Sequence, residues 1–149
     1  FDVIGAFDVL EHIGEDVTVL EEIHQALRPG GGVLLTVPQH PFLWSAADDV
    51  ARHVRRYRAK ELHRKLEQAG FRIVLMTSFV SLLFPALVAS RLRDRQTAGQ
   101  GDYDPRSEFR IPGWLNGTLM QVMAAERQLI RWGIRFPAGG SLLAVAIRL

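Results

Sequence analysis

The chain has 149 residues, enough for one domain with one core, and its 48% hydrophobic and 23% charged residues are ordinary for a globular protein. Its 18 basic and 16 acidic residues give a net charge of +2, so no global basic character indicates a nucleic-acid partner. The lack of cysteine excludes disulfides and thiolate metal sites and fits a reducing compartment, so we expect a cytoplasmic protein. No apolar run approaches the ~20 residues of a membrane-spanning helix.

Residues 1–38 have the pattern of a strand, an acidic turn, an amphipathic helix, a glycine-rich turn and a second strand. The apolar run of residues 1–7 predicts a strand that is buried on both faces. Leucine and isoleucine then recur at helical spacing until the glycine-rich stop at residues 28–32. Residues 33–38 form a second branched apolar run, so the pattern predicts two parallel neighbouring strands joined by a right-handed crossover.

The rest of the chain predicts a helix, a third strand, a long helical insertion and a final strand. These elements are expected near residues 59–69, 71–78, 79–132 and 142–148. Within the insertion, helices over residues 79–92 and 114–132 flank a polar stretch at residues 91–110, which we expect to be a mobile loop or lid.

The acidic turn after the first strand holds the sharpest constellation of reactive side chains. Asp8, Glu11 and His12 would share one face if this turn is helical. His12 could then act as a general base oriented by Glu11 or Asp8. The three could instead hold a divalent cation, or Glu11 and His12 could simply cap the neighbouring helix and loop. We expect no bound metal, and keep a metal site formed by Asp8, Glu11 and His12 as the alternative.

The aromatic loop after the second strand offers two further candidates, His40 and Trp44. Ligands of open α/β sheets bind beyond the carboxyl ends of the strands, which makes both side chains pocket candidates. His40 followed by Pro41 is equally consistent with a plain turn.

The motif FDVIGAFDVLEHI followed by LRPGGGVLLTVP resembles the fourth and fifth strands of the class I S-adenosylmethionine-dependent methyltransferases. The likeness is closest to the bacterial small-molecule group, of the type 11 and type 12 kind, whose fourth strand ends in a V-L-E-H turn. It continues through HVRRYRAKELHRKLEQAGF to the final strand. The resemblance implies the C-terminal half of a Rossmann-like doubly wound sheet, with about four strands, the last antiparallel, flanked by helices. Residues 1–149 would then be a single partial domain.

The resemblance also implies S-adenosyl-L-methionine as the cofactor. In that family a glycine-rich loop after the first strand supports the cofactor, but the glycines at residues 30–32 precede a strand and no other cluster substitutes. The positions that match the family's fourth strand imply that Ala6, Phe7 and Asp8 contact the cofactor. Phe7 is equally consistent with a core residue.

Residues 53–57 resemble a segment that covers the acceptor pocket in this group. The implied catalytic residues are His12, His53 and Tyr57, and the implied acceptor pocket is His40, Trp44 and Arg56. An arginine fork suits a carboxylate or phosphate, although the segment could equally be a solvated approach to the next helix.

In a quinone-biosynthesis O-methyltransferase branch of the family, a divalent cation binds at the positions that match Asp8, Glu11 and His12. That branch has a longer glutamate where this chain has Asp8.

We expect methyl transfer to a small-molecule acceptor (EC 2.1.1), with this chain supplying the acceptor-side half and being inactive alone. Alignment of the reactants alone can supply ~7–11 kcal/mol, so no catalytic triad is required. The alternatives are a non-catalytic α/β module that pairs through its open first strand, and another doubly wound enzyme with a different nucleotide. That strand would be covered by a missing N-terminal half or by a second copy. Residues 79–92 could also rest weakly on a membrane surface.

Overall fold

The computed structural model describes residues 1–97 and 112–149, and its four strands form one mixed sheet in the order β1-β2-β4-β3. The strands are β1 (Val3–Phe7), β2 (Gly32–Pro38), β3 (Phe71–Phe79) and β4 (Ser141–Arg148). β1 and β2 are parallel, whereas β4 lies between β2 and β3 and is antiparallel to both. The predicted α/β class and the antiparallel final strand are confirmed.

Five helices and two short 3-10 turns connect the strands within the described residues. They are α1 (Asp16–Ala26), α2 (Ala46–Val50), α3 (Ala59–Gln68), α4 (Phe84–Thr97) and α5 (Gly113–Arg131), with 3-10 turns at Leu10–His12 and Pro41–Leu43.

The predicted polar loop begins too early. α4 continues through residues 91–97, because that stretch has no glycine or proline to interrupt a helix. The rest of the predicted loop, residues 98–110, with the glycines at residues 99 and 101, lies outside the described residues.

The main core lies between one face of the sheet and helices α1 and α3. Alternate residues of β2 and β4 point into it, as expected for strands with a period of two. The buried sheet residues are Val33, Leu35, Val37, Leu142, Ala144 and Ala146, and the buried helix residues include Leu20, Leu62 and Leu66. No helix in the part of the chain that the structure describes combines the length and apolar character that a membrane crossing requires.

The prediction that the first strand is buried on both faces is wrong. Ile4 and Ala6 pack against the core, but Val3 and Phe7 are 60% and 59% exposed on the other face. The reason is that β1 is an edge of the sheet and pairs only with β2 within the described residues.

Candidate functional site

The turn after β1 separates Asp8 from Glu11 and His12, although the sequence pattern groups these three side chains together. Asp8 has a φ of +52°, a left-handed conformation that is uncommon for a residue with a side chain. Its N–H donates to the Thr36 carbonyl at 2.9 Å, and the 3-10 turn begins only at Leu10. Asp8 therefore lies outside the helical turn that holds Glu11 and His12, and the shared face predicted for the three is not formed.

Glu11 is completely buried, and neither of its carboxylate oxygens has a hydrogen-bond partner among the described residues. Burial raises the pKa of this carboxyl and outweighs the opposing effect of the nearby Glu11 backbone N–H, which lies outside hydrogen-bond geometry. A helix-capping carboxylate would accept backbone N–H groups, so the capping interpretation of Glu11 fails. A buried polar group with no partner is rare and is a hint of function.

His53 completes a cluster with Glu11 and His12. Its Nε2 lies 4.0 Å from Glu11 Oε1, and its ring meets the His12 ring edge-on with centroids 4.8 Å apart. One ligand atom from each of the three residues lies within 4.8 Å of the others, so this trio, and not the one with Asp8, could hold a metal ion. One carboxylate and two imidazoles suit several divalent metals.

The other ring nitrogen of His53 is fixed by Asp48. His53 Nδ1 lies 2.8 Å from Asp48 Oδ1, an arrangement that fixes the tautomer of an imidazole base or metal ligand. Burial would raise the pKa of Asp48, but hydrogen bonds from Arg56 and His53 outweigh it and lower that pKa. Asp48 therefore stays ionised and directs His53 Nε2 toward Glu11.

Arg56, predicted to bind the acceptor, is engaged inside the protein. Its Nε donates to Asp48 Oδ1 at 2.8 Å and its Nη1 to the Gln39 carbonyl at 3.2 Å. In this structure Arg56 supports Asp48 and, through it, His53.

Tyr57, predicted to be catalytic, lies in the core with no exposed surface. Its hydroxyl donates to Asp16 Oδ2 at 2.6 Å, and Lys65 Nζ lies 2.5 Å from the same oxygen. Burial and the hydrogen bond to Asp16 raise the pKa of Tyr57. As folded here, the hydroxyl cannot reach an acceptor, and its contribution is to hold the loop of residues 53–57 against α1 and α3.

His40 and Trp44 lie beyond the carboxyl end of β2, as predicted. The His40 ring packs beside Phe42 and Phe84, with centroids 5.1 and 5.2 Å away, and burial together with the charge of Arg56 lowers its pKa. Trp44 donates its indole N–H to Asp49 Oδ1 at 3.0 Å.

Phe7 is exposed at the carboxyl end of β1, so the core interpretation does not hold for it. Its ring lies over Gly5, where an added Cβ would approach the ring to 2.9 Å. Ala6 points to the opposite, core-facing side. An exposed aromatic ring beside the sharp turn at Asp8 fits one flank of a nucleoside-containing cofactor. Within the described residues, no strand leads through a glycine-rich turn into a helix, so the fit to such a cofactor is partial.

Sequence reasoning missed a cavity of about 550 Å³ between α5 and the second face of the sheet. Two arginines one turn apart, Arg127 and Arg131, line it together with apolar residues of α5. This i, i+4 spacing of cations on a largely apolar helix was the available sequence signal.

Comparison with known proteins gives consistent similarities. Residues 1–75 match the family model described as a methyltransferase domain. A protein of Mycolicibacterium smegmatis, named a probable S-adenosylmethionine-dependent methyltransferase, is 34% identical over 74 residues, which cover 48% of this chain and 29% of that protein.

Solved structures with the same fold include an S-adenosylmethionine-dependent methyltransferase from Mesorhizobium loti, with a TM-score of 0.55, 14% identity, and coverage of 99% of this chain and 62% of that one. A phosphoethanolamine N-methyltransferase of Haemonchus contortus in complex with S-adenosyl-L-methionine gives a TM-score of 0.53 and 15% identity, over 99% of this chain and 33% of that one. The matched parts thus span between 29% and 62% of the length of these three proteins.

Proposed function

This chain belongs to the methyltransferase domain family, and from that premise we propose that it forms the acceptor side of an S-adenosylmethionine-dependent methyltransferase acting on small molecules. The observation that carries the proposal is the buried, unpartnered carboxylate of Glu11 facing His53, with His12 exposed beside them. In such an arrangement, one side chain of the cluster can take the proton that the hydroxyl or amine of the methyl acceptor releases.

The cofactor, when bound, supplies an electrophilic methyl group for an in-line displacement. His12 is the exposed member of the cluster, so we assign it the proton released by the acceptor. Glu11 would stabilise the resulting imidazolium, because a buried carboxylate interacts strongly with a neighbouring cation. His53, held by Asp48, is a positioning residue that keeps the cluster together. His40 and Trp44 remain candidates for the wall of the acceptor pocket.

Phe7 is the residue that we assign to the cofactor, with Asp8 at the turn and Ala6 on the core side of the same strand end. These residues form one side of a cofactor site. They include no glycine-rich loop of the kind that supports the cofactor in this family. We therefore infer that the 149-residue chain alone has little or no activity and needs further sequence of the methyltransferase type.

A calorimetric titration with S-adenosylhomocysteine, the product form of the cofactor, tests this proposal. We expect micromolar binding to an extended protein in which a glycine-rich segment of the methyltransferase type precedes this chain, and weaker or no binding to the 149-residue chain. Phe7→Ala should weaken binding about tenfold or more, because a buried phenyl ring is worth ~1.5–3 kcal/mol. Val74→Ala, an exposed valine on β3, is the matched control and should have no effect.

Two results would count against it. Tight binding to the isolated chain would refute the inferred incompleteness. Absence of binding in the extended protein would show that the chain does not contribute to a site for this cofactor. Equal effects of the two alanine variants would show that Phe7 does not contact the cofactor.

The outer edge of β1, which pairs with no strand among the described residues, favours a second candidate function, an interaction module that pairs through this strand. Its side chains Val3 and Phe7 are largely exposed, and an uncovered apolar edge is a template for another strand. This candidate predicts no cofactor binding in either protein, so the same titration separates the two functions.

A further inference from the structure

We infer that the cavity between α5 and the sheet binds an apolar molecule that carries one anionic group. The cavity has a volume of about 550 Å³, within the range of ~300–1,000 Å³ that is usual for sites of small organic ligands. It lies on the face of the sheet opposite the main core.

Its walls are mostly apolar and adaptable. The sheet contributes Phe79 and Leu143, with Thr36 at the end of β2. The helix contributes Met120, Met123, Ala124 and Ile130. Methionine side chains are flexible and polarizable, so this wall can adjust to an extended or aromatic ligand.

The charge of the cavity comes from Arg127 and Arg131. Both are exposed and line the same cavity, and neither forms an ion pair with the residues that the structure describes. Two guanidinium groups one helical turn apart repel each other unless an anion lies between them. Their planar forks match a carboxylate or phosphate, which gives the ligand its anionic group.

Glu126 also lines the cavity and would suggest a cationic ligand if its carboxylate were free. Its Oε2 accepts the N–H groups of Ser81 and Leu82, each at 2.7 Å, and its side chain is 1% exposed. The carboxylate thus serves the turn before α4 through Oε2, whereas Oε1 is buried and has no hydrogen-bond partner among the described residues. The accessible charges at the cavity are those of the arginines.

The cavity lies next to the strand end assigned to the cofactor. Thr36 lines the cavity and pairs in register with Phe7 on the adjacent strand, so both side chains lie on the same face of the sheet. A ligand that contacts Thr36 in the cavity would therefore lie one strand from Phe7. The inferred binding goes beyond the proposed function, whose acceptor residues His12, His40 and Trp44 do not line this cavity.

The test compares decanoate, decanol and decylamine, which share one chain length and differ in head-group charge, by calorimetric titration of the 149-residue chain. We expect decanoate to bind about tenfold or more tightly than decanol, since charge-assisted hydrogen bonds supply ~1.5–3 kcal/mol. The double variant Arg127→Gln/Arg131→Gln should bind decanoate only as well as decanol. Arg64→Gln, an exposed arginine on α3 against the other face, should keep the wild-type preference.

Ala124→Phe places a ring in the cavity and should abolish binding of decanoate and decanol, with a melting curve to show that the variant is folded. Equal binding of the three ligands, or tighter binding of decylamine, would overturn the inference. So would retention of the decanoate preference in the double arginine variant, or of binding in Ala124→Phe. No cofactor is present in these titrations, so a failure of the proposed function would not produce any of these results.

Discussion

Glu11 is buried with neither carboxylate oxygen hydrogen-bonded among the described residues, an arrangement that is uncommon in protein interiors. A buried carboxylate without hydrogen bonds costs stability whenever it is ionised, and burial has raised its pKa accordingly. Because the pKa in the folded state lies above that in the unfolded state, the folded protein holds the proton more tightly. The cost is therefore absent below the unfolded pKa and present in full above the folded one.

Glu11→Gln should accordingly stabilise the protein at about pH 8, and this gain should fade by about pH 4, where wild-type Glu11 is protonated. We expect about 1–2 kcal/mol, or a rise in melting temperature of about 2–8 °C, measured by thermal unfolding with a chelator present. Glu22→Gln, on the exposed side of α1, is the matched control and should change little at either pH. A lower melting temperature for Glu11→Gln at the higher pH would mean that the charge of Glu11 is compensated in the fold.

When no chelator is present, a divalent cation could also compensate the charge of Glu11, and Glu11, His12 and His53 would provide its ligands. We predict that Mn²⁺ or Zn²⁺ raises the melting temperature of the wild-type chain, because an ion that binds only the folded state stabilises it by mass action. His53→Gln should abolish this rise. His63→Gln should retain it, since His63 lies on α3 and pairs with Glu67 at 3.2 Å.

If the cation stabilises His53→Gln as much as the wild type, or stabilises neither, the cluster is not a metal site. It would then retain only the proposed part in proton transfer.

At the scale of elements, the helices and strands follow from local patterns, but the contacts that position the site do not. Asp16 begins α1 and is contacted by Lys65 of α3 and Tyr57 of the preceding loop. Burial would raise the pKa of Asp16, yet the hydrogen bonds from Lys65 and Tyr57 outweigh it and lower that pKa. The sequence shows each of these residues, but only the packing of α1 against α3 shows that Tyr57 serves this ion pair and not an acceptor.

The same limit applies to the candidate site. Glu11 and His12 are neighbours in sequence, so their association could be predicted from residue types alone. His53 joins them because Asp48, Arg56 and the Glu11 carbonyl, which accepts the Val54 N–H at 2.8 Å, fold its loop back over the turn. The cavity under α5 depends on how that helix is rotated, which a mixed pattern of methionine and arginine does not determine.

For the whole molecule, the sheet has two outer strands within the described residues, and they differ in how well they resist pairing. β3 carries a bulge between Ile73 and Leu75, which disturbs a regular edge. β1 is regular along its length, and its exposed side chains include Val3 and Phe7. Regular apolar edges pair with other chains, whereas bulges and charges prevent such pairing.

We therefore predict that the 149-residue chain self-associates through β1, and that its average mass in sedimentation equilibrium rises with concentration. Val3→Lys should shift the population toward monomer, because a lysine on the edge strand disfavours a second strand beside it. Val74→Lys places the same charge on the outer strand with the bulge and should leave the association unchanged. Equal effects of the two lysines would show that charge alone, and not the β1 edge, governs the association. A wild-type chain that stays monomeric at every concentration would show that β1 is not a pairing edge and would remove the main support for the interaction module.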